Sequence, residues 1–139
     1  MKYLGLDLGS RTLGIATSDK TGLIASTYKT IRHEEEYERL LLEVKSIVDE
    51  LSIEAVVIGF PKNMNNTIGP KGELSLKFKE ELEKIIDIPI YLQDERLSTK
   101  SATDLLIKGN VSRKNRKKVV DSIAATIILQ TYLDKKGNN

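Results

Sequence analysis

The chain has 139 residues, 40% of them hydrophobic and 30% charged, and its 22 Lys and Arg nearly balance 20 Asp and Glu, so a net charge of +2 selects no partner by itself. The absence of cysteine excludes disulfides and thiolate metal sites. No apolar run approaches the ~20 residues of a membrane span and residue 1 leads straight into a strand, so the expectation is a single domain over residues 1–139, cytoplasmic, with no membrane partner.

In chain order, residues 2–8 read as a first strand, Gly9 to Thr12 as a turn and Leu13 to Ser18 as a second strand, together a hairpin. Leu23 to Ile31 alternates weakly as a third strand. The period then changes. Tyr37, Leu40, Leu41, Val44, Ile47, Val48 and Leu51 recur at helical spacing, with Glu34 to Glu36 in the first turn, where the helix dipole favours anions. Residues 54–61 form an apolar strand ended by Gly59 and Pro61, and 62–72 a polar loop. A second helix is expected from about Glu73 to Ile86 and a further strand from Pro89 to Gln93. A capped helix follows from Ser98 to Gly109, and the helical period resumes from Val119 to Leu133. Three strands followed by strand–helix alternation imply an α/β fold: a mixed five-stranded sheet with helices on both faces. In such sheets, sites gather outside the carboxyl ends of the strands.

One residue conflicts with this pattern. Asp7 sits in the first strand among leucines, and an unpaired buried carboxylate costs several kcal/mol. Asp94 and Glu95 end the strand PIYLQ, and Asp121 opens the last apolar helix, where Ala124 and Ala125 would let that helix approach the sheet. Converging carboxylates repel one another unless a cation holds them. Oxygen donors with water completing the shell suit Mg²⁺ or Mn²⁺, and paired ions of this kind serve phosphodiester hydrolysis. Taken singly, each acid has a plainer role: a turn residue, a solvated loop, a helix N-terminal anion. Strand alternation sets Asp94 and Glu95 on opposite sides, and spacing alone does not choose between them. The only histidine, His33, precedes an acidic stretch and reads as a surface residue.

The segment KGNVSRKNRKKVV carries Lys108, Arg113, Lys114, Arg116, Lys117 and Lys118, with no acid from 105 to 120. Such a run is usually a solvated loop. Here it abuts Asp121, so a phosphate-backbone contact is expected, with Arg11 in the first turn reaching the same phosphate. No aromatic residue lies in the run, which argues against a stacking platform there.

The blocks DLGSRTLGIATSD, VVIGFPKNMNNTIGPKG, YLQDERLSTKSA and VSRKNRKKVVDSIAATIILQ, in this order and spanning nearly the whole chain, resemble the YqgF/RuvX-like family, the pre-16S rRNA nucleases once called Holliday junction resolvases. The resemblance implies an RNase H-like fold, a divalent metal (Mg²⁺ or Mn²⁺) and endonucleolytic cleavage at the 5′ end of pre-16S rRNA or, alternatively, of a Holliday junction. It matches the family's catalytic and metal-holding acids to Asp7, Glu95 and Asp121. It also points to Gly9, Arg11, Asn63 and Gly69 as parts of the substrate face, beside the basic residues. Thr12 stands where a basic residue is frequent, and Asn66-Thr67 replaces a usual Gly-Ser. The expected partner is precursor rRNA or branched DNA. With no evident dimer stripe, the chain is expected to be a monomer or weak dimer. Two other classes compete. DLGSRTLG also resembles the phosphate loop of actin-like ATPases and sugar kinases, which need two such domains to clamp a nucleotide. A non-cleaving RNA-binding module would leave the acids unexplained, since carboxylates beside a phosphate repel without a metal.

Overall fold

The computed structural model describes residues 1–61, 68–94 and 113–137, with side chains for all of these except 113–122 and 137. The strands are β1 (Tyr3–Leu8), β2 (Thr12–Ser18), β3 (Ala25–Arg32), β4 (Ala55–Phe60) and β5 (Ile90–Asp94). The helices are α1 (Tyr37–Leu51), α2 (Pro70–Glu83) and α3 (Arg113–Gly137). The sheet order is β3-β2-β1-β4-β5. β1, β2 and β3 form an antiparallel meander, while β1, β4 and β5 run parallel, so the mixed sheet expected from the sequence is present.

Alternation along β1 divides the molecule into two layers. Leu4, Leu6 and Leu8 point into a core shared with Leu40, Val44 and Ile47 of α1 and with Phe78 and Leu82 of α2. Tyr3 points to the opposite face, where Ala16, Ala55 and Val57 pack against Ala125, Ile128, Leu129 and Leu133 of α3. The edge strand β3 is interrupted by a register shift opposite Ile15 and Ala16, a bulge of the kind that blunts strand edges.

Three boundaries differ from the sequence expectation. α2 begins at Pro70, not near Glu73, because a proline at the first helical position loses no hydrogen bond and brings its φ preset; Gly69 is the N-cap. Its first turn is tight against the end of β4: a Cβ on Gly72 would stand 2.7 Å from the Pro61 carbonyl. α1 begins at Tyr37, leaving Glu34 and Glu35 ahead of it. At its N-cap, Glu36 is held near a pKa of about 2, chiefly by its hydrogen bond with Arg39. The third difference matters most for function. α3 starts at Arg113, so the basic residues 113–118 are helical rather than a loop, and Asp121 lies inside the helix rather than opening it. The helix expected over 98–109 lies outside the described residues. No helix among the described residues is long and apolar enough to cross a membrane.

Candidate active site

Asp7 is the next-to-last residue of β1 and is half-buried on the face that α3 covers, the face of Tyr3 and Gly5. Its cross-strand partner on β2 is Gly14, which contributes no side chain of its own. The path of α3 over this face is set by Gly5. A Cβ built there would lie 2.7 Å from Leu129 Cβ and 3.2 Å from the Ala125 carbonyl, so only glycine admits the helix this close. Ala124 and Ala125 are buried, as their small size suggested. At the far end of the helix, Lys136 bonds the Tyr3 hydroxyl at the start of β1. α3 therefore runs against the direction of β1. One helical turn back from Ala125 is a step of about 6 Å, and two residues forward from Gly5 along β1 is about 6.6 Å. The two steps bring the Asp121 backbone level with Asp7.

The remaining candidates sort by the same geometry. β4 and β5 run parallel to β1, so Asp94, paired with Phe60, stands at the same carboxyl edge of the sheet. It shares the parity of Ile90 and Leu92, which face the α1/α2 core, whereas Tyr91 stacks on Tyr132 of α3 with ring centroids 5.5 Å apart. Asp94 is thus on the opposite face from Asp7. Arg11 is exposed in the β1–β2 turn at this edge, with Gly9 beside it, and Gly9 N–H donates to the Thr12 carbonyl at 2.8 Å. Gly69 borders the same edge at the start of α2. The backbone of Arg113, Lys114, Arg116, Lys117 and Lys118 precedes Asp121 on α3, which carries these positions past the carboxyl edge. Glu95, Asn63 and Lys108 lie outside the described residues. Among the described residues no cluster of three acids or histidines has the arrangement of a metal site, and of the expected triad only the Asp7 side chain is described.

His33 corrects the sequence reading. It is buried, 4% exposed, not on the surface. Nδ1 accepts the Glu35 N–H at 3.0 Å, so the ring proton resides on Nε2, which donates to the Gly9 carbonyl at 3.0 Å. Both nitrogens are occupied, which removes imidazole from the donor set and leaves oxygen ligands alone. An all-oxygen donor set fits a hard divalent cation. Gly5 and His33 were not singled out as site determinants from the sequence. An isolated glycine within a leucine strand was the available signal for Gly5.

The sequence profile of the family described as "RuvX: Holliday junction resolvase" matches residues 1–135. The chain belongs to the RuvX family. Its relatives include a Geobacillus sp. (strain WCH70) protein, 50% identical over 137 residues, covering 98% of this chain and 99% of the relative. A Bacillus subtilis (strain 168) protein is 47% identical over 135 residues, covering 96% and 98%. Both carry the name "Putative pre-16S rRNA nuclease". Among solved structures, Thermus thermophilus RuvC in complex with a Holliday junction substrate superposes with a TM-score of 0.61 at 17% identity, covering 99% of this chain and 96% of the other. At that identity the likeness is one of fold, and it bears out the RNase H-like α/β sheet for this RuvX-family nuclease.

Proposed function

We propose that this chain is a divalent-metal-dependent endonuclease that processes the 5′ end of pre-16S rRNA, with Asp7, Glu95 and Asp121 as the residues that hold Mg²⁺ or Mn²⁺. The observation that carries the reading is the half-buried Asp7 at the carboxyl end of β1, on the face of the helix whose Asp121 backbone runs level with it. The name shared by relatives up to 50% identical over nearly the whole chain supplies the substrate. Bound between such carboxylates, metal ions would activate water for attack and stabilise the leaving oxygen. The chain's own contribution is positional. β1 and α3 fix two acids at one level, the Gly9–Thr12 turn presents Arg11 at the rim, and the start of α3 offers cations to the backbone on either side of the scissile bond. Bacterial precursor rRNA is a cytoplasmic substrate, and a single copy suffices for one cut, in keeping with a monomer or weak dimer.

A second reading, junction resolution, is favoured by the family description and rests on the same chemistry. Depletion in cells with 5′-end mapping of 16S rRNA, beside an in vitro assay on four-way junctions with metal titration, separates the two. Unprocessed precursor supports the first; paired symmetric nicks with normal rRNA support the second. Binding or cleavage that ignores added metal and chelator would defeat both.

Parity along β5 bears on Asp94. Asp94 is on the face of Leu92, away from Asp7, which supports Glu95 as the ligand. Glu95→Gln is expected to lower cleavage by more than about 100-fold, and Asp94→Asn by no more than the roughly 10–100-fold range of a supporting residue. Single-turnover rates measure both, and the reverse order would transfer the ligand role to Asp94.

The basic turns of α3 make a separate prediction. Each phosphate contact contributes roughly 0.7–0.9 to the slope of log K against log salt. Replacing Arg116, Lys117 and Lys118 with Ala should weaken RNA binding for all sequences and flatten that slope by about 2. Cleavage at saturating substrate should fall much less. A triple variant with unchanged affinity and slope would assign the backbone contact elsewhere.

A further inference from the structure

The β1–β2 turn has to be rigid if it is to present Arg11, and its own backbone does not make it so. Leu8 pairs with Leu13, and Gly9 N–H bonds the Thr12 carbonyl, which leaves Ser10 and Arg11 as a two-residue hairpin loop. Such loops prefer the primed turn types, whose positive φ matches the twist of the flanking strands. Neither Ser10 nor Arg11 has positive φ; in the described chain only Glu35, Ser52 and Gly22 do. The turn is therefore held in a form that local geometry does not favour.

The restraint comes from His33, at the end of β3. Its backbone N–H donates to the Arg11 carbonyl at 2.9 Å, and its ring Nε2 donates to the Gly9 carbonyl at 3.0 Å, so one residue fastens both sides of the turn. The ring is itself held from behind. Glu35 adopts φ 69, a left-handed conformation that is strained for a non-glycine residue, and this directs its N–H to Nδ1. The Tyr37 ring lies against the imidazole at a centroid distance of 5.6 Å. A strained residue maintained behind a buried ring that reaches a substrate-facing turn is a supported clamp, not incidental core polarity.

We infer that His33, as the neutral Nε2–H tautomer, is a positioning residue that holds the Gly9–Thr12 turn in the conformation that presents Arg11 to the nucleic-acid backbone. The kinetic consequence rests on the nuclease reading above; the tautomer and the order of the turn do not. Losing one such hydrogen bond should raise KM by up to about tenfold, with kcat at saturating substrate changed much less, because the bond falls on the turn and not on Asp7.

The test compares His33→Ala, His33→Asn and His33→Gln. A glutamine amide extends far enough to donate to the Gly9 carbonyl; an asparagine amide reaches only the Glu35 side. Because His33 is the only histidine, a ¹⁵N imidazole spectrum of the wild-type chain contains one ring and reads its tautomer directly. Amide exchange at Gly9, whose N–H closes the turn, reads the clamp without any substrate. The expected results are an Nε2–H spectrum, faster Gly9 exchange and higher KM in the Ala and Asn variants, and recovery of both in the Gln variant at similar melting temperatures. An Nδ1–H tautomer, unchanged Gly9 exchange in His33→Ala, or a Gln variant no better than Ala would each overturn the proposal. If the wild-type chain neither binds nor cleaves RNA, the nuclease reading fails while the tautomer and exchange results still decide the clamp.

Discussion

Asp7→Asn should abolish metal-dependent cleavage and leave the fold standing. The substitution keeps the size of the side chain and removes one negative charge from an all-oxygen donor set. Loss of a residue that only supports a ligand costs roughly 10–100-fold, so loss of a ligand should exceed about 100-fold. Stability should move the other way. Fewer like charges at the carboxyl edge mean less repulsion in the metal-free protein, so the melting temperature should hold or rise. Cleavage and melting measured on one preparation, with and without Mg²⁺, give the answer. The metal-dependent increase in melting temperature should shrink in the variant. Full activity in Asp7→Asn would end the carboxylate-triad assignment.

Gly5→Ala is expected to damage both stability and activity, although residue 5 touches no substrate. The added methyl would stand 2.7 Å from Leu129 Cβ and 3.2 Å from the Ala125 carbonyl, neither of which is the free end of a flexible side chain. α3 must move off β1, at about 1–3 kcal/mol for overpacking of this kind. The same movement separates the Asp121 backbone from Asp7, and a misplacement of about 1 Å in a catalytic group can cost on the order of 100-fold in rate. Leu129→Ala should not rescue the variant, because alanine retains the offending Cβ. Thermal melting and single-turnover cleavage test this together. A Gly5→Ala protein with the parental melting temperature and rate would mean that α3 is not seated by this contact.

The two substitutions show which parts of the site can be read from a linear chain. Asp7 stands out because a charge within a leucine strand contradicts its surroundings, and contradictions of that kind are visible locally. Alternation along β5 was visible too, but not which parity faced α3; that depends on Tyr91 meeting Tyr132, a contact between distant segments. The basic turns of α3 escaped a helical reading for a physical reason. Five cations in six residues, without an apolar period, give no amphipathic signal, and cations at a helix start oppose its dipole, so both usual cues point away from a helix. His33 misled in another way. Its flanking acids suggest solvent, yet its ring turns inward to backbone atoms that no side-chain pattern reveals.

The seating of α3 also has a consequence for the order of assembly. The meander of β1, β2 and β3 closes through neighbouring segments, but the contacts that seat α3 join remote segments of the chain. Gln130 accepts the Ala25 N–H across 105 residues, and Lys136 reaches Tyr3 across 133. Contacts between remote segments form late, because the loop-closure entropy is lost before they can compensate it. During synthesis, β1 with Asp7 emerges well before α3 with Asp121, so a nascent chain that lacks α3 carries two of the three proposed acids, Asp7 and Glu95, without the third. On the proposed assignment, hydrolysis would require α3 to have docked, and a chain truncated before α3 lacks the helix that packs against Tyr3, Ala16, Ala55 and Val57.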